Sequence, residues 1–253
     1  MSRSRRSPAF WLLMTALLLL LALGVYLLVL GVTRPPFAQP GSRVFGCPLF
    51  IERKGFPAMQ TALEVFGRLP TMLTRRLILR PVRMSDAQDL YEYSRDPEVA
   101  RHVLWDAHRS IHQTRAYIRY LLRQYRSCAP GTFVIALRET GKVIGTIGFM
   151  WVQTENRSAE VGYSLSRAYW NRGFMTEALT CVLEFGFTRL NLNRIEAQHE
   201  CDNPASGHVM RNAGMKHEGT LRQRIYNKGR FADVDLYAIL KSDFDPAKRE
   251  VHA

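Results

Sequence analysis

The residues from Glu160 to Ala178 have types and an order that could bind an anion. The stretch reads EVGYSLSRAYWNRGFMTEA and predicts a strand ending at Leu165, a short loop and then a helix. The first N–H groups of a helix have no acceptor inside the helix, and the helix dipole adds partial positive charge there. Gly173 would let the backbone approach an anion closely, and Arg172 could add charged donors. These residues predict an anion site, with an ordinary tight turn as the alternative.

Alternating and periodic patterns around this stretch predict the elements that must hold it. The predicted strands are Arg75–Val82, Thr132–Leu137, Lys142–Met150, Ala159–Leu165, Arg194–Cys201, Lys216–Gln223 and Asp233–Leu240. The predicted helices after the first strand are one starting at Ser85, then His112–Arg126, Thr176–Leu190 and Pro204–Ala213. Ser85 followed by Gln88 has the spacing of a capping box. Strands mixed with helices in this way indicate an α/β or α+β domain around one sheet.

Composition and charge narrow the class of protein. The chain has 253 residues, 47% of them hydrophobic and 11% aromatic, which is enough for a packed core and excludes wholesale disorder. The formal net charge of +13 suits an anionic ligand, although an Arg-rich solvated surface explains it equally well. No basic stripe interleaved with aromatic residues is visible, so no nucleic acid is expected. The four cysteines and the scattered histidines lack metal-ligand spacing, so no metal is expected.

The segment from Ala9 to Val32 carries no charged residue and is long enough to cross a bilayer as a helix. It is too long for the apolar part of a signal peptide and has no evident cleavage site, so we expect an uncleaved membrane anchor. Its orientation is open, because basic residues flank it on both sides. They are Arg3, Arg5 and Arg6 before it and Arg34, Arg43, Arg53 and Lys54 after it.

The remaining boundaries follow from proline, glycine and the onset of periodicity. Residues 1–8 form a basic tail, 33–73 a linker with a short helix near Met59–Phe66, and 242–253 a C-terminal tail. The main domain is expected over residues 74–241. An alternative to the anchor is that translation begins at Met59 or Met72, which would make the protein cytoplasmic.

The stretch EVGYSLSRAYWNRGFMTEA resembles the cofactor-binding motif of GNAT acetyltransferases, especially the branch that acetylates N-terminal alanine or serine of ribosomal proteins. Three further stretches agree with that family in order and spacing. They read RRLILRPVRMSDAQDLYEYSRDPEV, NPASGHVMRNAGMKHEGTLRQ and GRFADVDLYAIL. The resemblance covers Arg75 to Leu240. It implies the GNAT fold, a mixed and mostly antiparallel sheet flanked by helices, in which two parallel strands splay apart, here Glu160–Leu165 and Arg194–Cys201.

The resemblance implies transfer of an acetyl group from acetyl-CoA to a primary amine by direct attack in a ternary complex. The acceptor stays open between a protein N-terminus and a small molecule such as an amino sugar, a polyamine or an antibiotic. Because acetyl-CoA is cytosolic, the catalytic domain of an anchored protein should face the cytosol. The residues that the family pattern matches to the cofactor are Tyr163, Leu165, Arg172, Gly173, Phe174, Met175, Thr176, Asn203 and Ser206.

The resemblance further implies two catalytic residues. Ser206 would hydrogen-bond the departing thiolate, and Glu160 would remove the proton of the ammonium group. Alternatively, Glu160 pairs with an arginine and Asn203 only caps a helix. Further candidates for the base are Glu196, Glu200 and Tyr226.

This chain departs from the family pattern in the expected anion loop. Asn171 and Met175 replace smaller residues there and are expected to make the loop bulkier. That departure favours a second hypothesis, a membrane-tethered acyl-CoA-binding sensor without turnover. A third hypothesis, a basic nucleic-acid-binding module, is made improbable by the cofactor motif.

Overall fold

The computed structural model describes residues 62–244, which form one eight-stranded sheet in the order β1-β2-β3-β4-β5-β6-β8-β7. The strands are β1 (Met72–Leu73), β2 (Leu77–Pro81), β3 (Thr132–Leu137), β4 (Val143–Gln153), β5 (Ser158–Leu165), β6 (Arg194–Glu200), β7 (Lys216–Asn227) and β8 (Arg230–Leu240). Every neighbouring pair is antiparallel except β5 and β6, which are parallel. The expected mixed, mostly antiparallel sheet is therefore confirmed.

Within residues 62–244, six α-helices cover the two faces of this sheet. They are α1 (Ala62–Gly67), α2 (Ala87–Ser94), α3 (Pro97–Ala100), α4 (Ile111–Arg126), α5 (Phe174–Thr188) and α6 (Pro204–Asn212). Helices α5 and α6 pack on one face, called here the α5 face, and α2, α3 and α4 pack on the other, called the α4 face. The described part of the chain also has three short 3-10 turns, Met84–Asp86, Arg167–Tyr169 and Lys241–Asp243.

The central strand β3 shows why the sheet has two cores. Its sequence TFVIAL is apolar at every position after the first, as expected for a strand buried on both faces. Phe133 and Ile135 point into the core of the α5 face, whereas Val134 and Ala136 point into the core of the α4 face. All four side chains are at most 1% exposed, so both faces are dry at this strand. Helices are needed on both sides of the sheet for this reason.

The parallel strands β5 and β6 separate shortly after they begin to pair. Only Ser158–Glu160 pairs with Arg194–Glu196, although both strands continue beyond these residues. The splayed strand pair that the resemblance implied is therefore present. Beyond the paired residues, the facing backbone edges of β5 and β6 are separated by an opening. This opening connects the α5 face of the sheet with the α4 face.

The predicted cap at Ser85 is wrong. The α2 helix begins after a 3-10 turn, and Asp86 stands at its N-cap position. The Asp86 carboxylate accepts the Arg83 backbone N–H at 2.7 Å and both Nη atoms of Arg80 at 2.8 Å. The Asp86 side chain makes no capping bond to α2, and its charge-assisted bonds instead tie the 3-10 turn to Arg80 and Arg83.

The packed core extends beyond the predicted domain start at residue 74. Val65 and Phe66 of α1 are buried in the core of the α5 face, and the Phe66 ring meets that of Phe149 edge to face at 5.7 Å. Strand β1 pairs with β2 through Met72 and Leu73. The end of the predicted linker is thus part of the folded domain.

The expected membrane segment 9–32 lies outside the described residues, as do most of the predicted linker and most of the C-terminal tail. Within residues 62–244, none of the helices combines the length and the apolar content needed to cross a membrane.

Candidate active site

The loop before α5 has the backbone shape of an anion site. Asn171 and Gly173 both adopt left-handed conformations, with φ of 56° and 74°, and α5 begins directly afterwards at Phe174. The Gly173 carbonyl accepts the Glu177 N–H at 3.0 Å, so the amides of the three residues between them precede the first intrahelical hydrogen bond. These amides carry the positive end of the helix dipole. An incoming phosphate group would meet them at a glycine without a side chain.

A carboxylate on the first turn of α5 fastens this loop to the turn between β1 and β2. Glu177 accepts hydrogen bonds from Thr74 Oγ1 at 2.6 Å, from the Arg76 N–H at 2.8 Å and from Arg76 Nε at 2.7 Å. Burial alone would raise the pKa of Glu177, but these hydrogen bonds outweigh burial and hold it below its usual value. Sequence patterns did not predict this contact, because it joins residues about a hundred positions apart. An acidic residue in the first helical turn was its only local signal.

The Arg76 guanidinium also supports the loop itself. Its Nη1 donates to the Arg172 carbonyl at 3.0 Å, and the group lies 4.3 Å from the centre of the Phe174 ring. The Arg172 guanidinium lies over the same ring at 5.3 Å, and its side chain is exposed. Two arginines therefore flank the first turn of α5, and because Glu177 balances the charge of Arg76, Arg172 is the one that adds net positive charge where an anion would bind.

The expectation that Met175 makes the loop bulkier is wrong. Its side chain is 4% exposed and belongs to the core of the α5 face, so its volume lies inside the protein. Asn171 occupies a left-handed position that asparagine tolerates better than most residues. The backbone rather than the side-chain size determines the shape of this loop.

On the α5 face, Tyr163 of β5 reaches the first turn of α6. Its hydroxyl donates to the Ser206 carbonyl at 3.1 Å, and burial raises its pKa, so the tyrosine is neutral. Asn203 Nδ2 lies 3.4 Å from Ser206 Oγ as a donor. The Asn203 side chain makes no capping bond to the α6 backbone, contrary to the capping interpretation. The structure thus brings together Tyr163, Asn203 and Ser206 beside the opening.

The first turn of α6 approaches β6 closely because residue 207 is glycine. A Cβ at Gly207 would fall 2.6 Å from His199 Nε2, which is too near for any other residue without displacement of the imidazole. His199 is 8% exposed, and its Nε2 has no hydrogen-bond partner within the described residues. The small residue therefore sets how near Ser206 stands to β6.

Leu165 contributes in another way than the other predicted cofactor residues. Its side chain is buried in the core of the α5 face, and its carbonyl accepts the Trp170 indole N–H at 2.8 Å. Trp170 belongs to the loop that leads to Gly173. Leu165 therefore anchors this loop through its carbonyl.

Glu160 points to the opposite face, where the two strands begin to separate. Its Oε2 accepts the Trp151 indole N–H at 2.7 Å, and its Oε1 accepts Gln198 Nε2 at 3.0 Å. Both partners are neutral, so the alternative in which Glu160 pairs with an arginine does not describe this carboxylate. Neither Trp151 nor Gln198 was predicted from the sequence as a site residue.

The other candidates for a base are engaged elsewhere. Glu196 forms an ion pair with Arg194 at 3.0 Å. Glu200 is 2% exposed and accepts hydrogen bonds from Asn227 and Arg230, both at 2.6 Å. It accepts a third from His102 at 3.1 Å when that imidazole carries its proton on Nδ1. Tyr226 is 63% exposed and lies against the Phe231 ring. Among these carboxylates, Glu160 is the one at the opening whose partners are all uncharged.

A small pocket on the α4 face is lined by uncharged polar groups. Its volume is about 50 Å³, and its lining consists of Leu90, Tyr93, Ser94, Trp105, His108, Tyr117, Thr146 and Ser164. The Tyr93 hydroxyl donates to Thr146 Oγ1 at 3.4 Å, and a 3.1 Å hydrogen bond joins Thr146 to Ser164. Burial raises the pKa of both Tyr93 and Tyr117 and lowers that of His108, which keeps all three neutral near pH 7.

Comparisons with known proteins identify the family that this chain resembles. Residues 76–216 match the family model described as an acetyltransferase (GNAT) domain. An uncharacterized N-acetyltransferase of Bacillus licheniformis, p20, is 37% identical over 70% of this chain and 99% of its own length. The ribosomal-protein-serine acetyltransferase of Escherichia coli is 31% identical over 38% of this chain and 54% of its own. A GNAT-family acetyltransferase structure from Bacillus anthracis superposes with a TM-score of 0.62 at 25% identity, covering 68% of this chain and 99% of its own.

Proposed function

The chain belongs to the GNAT acetyltransferase family and is an acetyl-CoA-dependent acyltransferase, and we propose that it acetylates a primary amine by direct attack in a ternary complex. The observation that carries the mechanism is the division of groups around the β5–β6 opening. The anion site, Tyr163 and Ser206 lie on the α5 face, and the Glu160 carboxylate lies on the α4 face. With the thioester of acetyl-CoA in the opening, the phosphate-bearing arm of the cofactor would lie on the α5 face. The acceptor amine would approach the thioester from the α4 face.

Each residue then has one task. The amides of Phe174 to Thr176, with Arg172, bind the pyrophosphate of acetyl-CoA. Glu160 takes a proton from the acceptor ammonium, directly or through one water, so that the neutral amine can attack the thioester carbon. A carbon–nitrogen bond forms, the carbon–sulfur bond breaks, and the Ser206 hydroxyl donates a hydrogen bond to the departing thiolate. The second proton of the attacking nitrogen leaves to solvent.

The neutral pocket on the α4 face supports one class of acceptor. A second ammonium or a carboxylate would lose its hydration in this pocket without meeting an opposite charge. A small uncharged group can use the hydroxyls of Thr146 and Ser164. We therefore propose an acceptor that carries a small uncharged substituent besides its amine, either a protein N-terminus or a small molecule.

An amine panel tests the proposed function. The full chain is incubated with acetyl-CoA and with peptides starting in Ser, Ala, Glu or Lys, an amino sugar and a polyamine, and thiol release is measured. We expect release with the Ser and Ala peptides or the amino sugar, and little with the Glu and Lys peptides and the polyamine. Binding of acetyl-CoA without thiol release for any amine would instead support the acyl-CoA sensor.

The membrane anchor stays a proposal that rests on the apolar segment 9–32. We expect the full-length protein to remain in membranes through a high-salt wash, with its catalytic domain accessible from the cytosolic side. Recovery of only a soluble product would contradict the anchor. The core position of Phe66 favours Met59 over Met72 as the start of any such product, since a start at Met72 would remove α1.

A further inference from the structure

A β-bulge in β4 decides which way Trp151 points. Phe149 pairs with Val161 and Trp151 pairs with Glu160, so Met150 is the extra residue between them. In a regular strand Phe149 and Trp151 would share a face, because side chains alternate. Phe149 lies in the core of the α5 face, whereas the Trp151 indole bonds Glu160 on the α4 face. The bulge therefore delivers this indole N–H to the carboxylate.

Gln198 reaches the same carboxylate from the other side. It follows Glu196 on β6 by two residues, and Glu196 is the last residue of β6 that pairs with β5, opposite Glu160. Gln198 Nε2 donates to Glu160 Oε1 at 3.0 Å, while Trp151 donates to Oε2. Each carboxylate oxygen thus has one donor, and the two donors come from the strands on either side of β5.

The charged groups around Glu160 are paired with one another. Trp151 and Gln198 therefore remain the direct partners of its carboxylate. On β6, Glu196 is neutralised by Arg194, which also bonds Glu218 of β7 at 2.6 Å. Further along β6, the charge of Glu200 is met by Arg230 of β8. A neutral donor orients a carboxylate without an ion pair, so the carboxylate keeps a free lone pair on each oxygen for a proton.

We propose that Trp151 and Gln198 are positioning residues that hold the Glu160 carboxylate at the β5–β6 opening in the orientation needed for proton transfer. This inference rests on the proposed function, in which Glu160 is the base. It assigns a catalytic purpose to the bulge at Met150, which would otherwise only disturb the pairing of β4 with β5.

The variants Trp151→Phe and Gln198→Met remove one donor each and nearly conserve side-chain volume. We expect each to lower kcat about 10-fold, as for loss of a hydrogen bond to a charged group, with KM for acetyl-CoA nearly unchanged. The two kinetic constants distinguish this role from a merely structural one, because a residue that positions the base acts on kcat and leaves KM for acetyl-CoA nearly unchanged. Thermal unfolding with and without acetyl-CoA verifies that the variants fold and bind.

Trp170→Phe is the matched control, because it removes an indole N–H that donates to a backbone carbonyl on the cofactor side. We expect it to act mainly on KM for acetyl-CoA. A double-mutant cycle with Glu160→Gln completes the test. If Trp151 acts through Glu160, Trp151→Phe should have almost no further effect on kcat in the Glu160→Gln background.

The possible failures can be told apart. Near-wild-type kcat in Glu160→Gln would overturn the assignment of the base and with it this inference. A large loss in Glu160→Gln with an unchanged kcat in Trp151→Phe and Gln198→Met would overturn the inference alone. An equal loss from Trp151→Phe in both backgrounds would show that Trp151 acts independently of Glu160, which also overturns it.

Discussion

The α5 face and the α4 face present opposite chemistry to the opening between β5 and β6. On the α5 face the groups that carry positive charge or a helix dipole are helix amides and arginines, which come mainly from one continuous stretch around Gly173, and the neutral Tyr163, Asn203 and Ser206 lie on the same face. On the α4 face they are a carboxylate and uncharged hydroxyls, which come from several strands and helices. The first surface suits a phosphorylated ligand and the second suits an amine. The difference teaches that changes on the two faces should affect separate kinetic constants.

The largest expected effect comes from the α4 face. Glu160→Gln should lower kcat about 100-fold or more while KM for acetyl-CoA stays near that of the wild type, because the amide cannot accept the proton. Steady-state kinetics at saturating acceptor measure both constants. Glu196→Gln is the matched control, since it neutralises the paired carboxylate on β6 that Arg194 already holds. If the two variants behaved alike, the separation of roles between these glutamates would be refuted.

The next effect belongs to the α5 face. Gly173→Val should weaken acetyl-CoA binding by about 10-fold or more, because a β-branched residue at φ of 74° is strained and its side chain would stand at the anion site. Calorimetric titration measures the affinity. Gly141→Val carries similar strain at φ of 73° in a turn with open space around it, so it should lose stability without losing affinity. Unchanged affinity in Gly173→Val would disprove the anion site.

The smallest effect concerns the fastening of the loop rather than its contact with a ligand. Hydrogen bonds from Thr74 and Arg76 hold the pKa of Glu177 below its usual value of 4.5. The contribution of the Glu177 carboxylate to the free energy of unfolding is therefore complete above that pH. It is lost as pH falls through the lower pKa of the folded state.

Urea unfolding of the wild type and Glu177→Gln from pH 7 to pH 3 measures this contribution. We expect a difference in free energy of unfolding of about 1–3 kcal/mol at pH 7 that shrinks as the pH approaches 3. Glu92→Gln, which removes an exposed ion pair with Lys142, should cost well under 1 kcal/mol. A difference for Glu177→Gln that did not depend on pH would mean that the charge of Glu177 does not carry it.

Local patterns predicted most elements because their signals lie within a few residues. The hairpin of β3 and β4 around Gly141 follows from alternation and a glycine turn, and the start of α5 follows from Gly173. The prediction at Ser85 failed because a 3-10 turn over Met84–Asp86 precedes α2, and Arg80 of the preceding strand holds this turn through Asp86. The expectation for Met175 failed because the sequence does not show which face of α5 is buried next to the loop.

The sequence by itself determined the periodicity of the strands, the helix N-terminus at Gly173 and the family resemblance, since each depends on neighbouring residues. Only the tertiary structure decided which groups hold Glu160 and Glu177. Thr74 and Glu177 are 103 positions apart, and Gln198 and Glu160 are 38 apart, so no local propensity links them. Trp151 is near Glu160 in the chain, yet its side chain lies on the α4 face with Glu160 only because β4 contains one extra residue. Side chains alternate with a period of two, so the strand register and its bulge, set by packing of the whole sheet, determine these contacts.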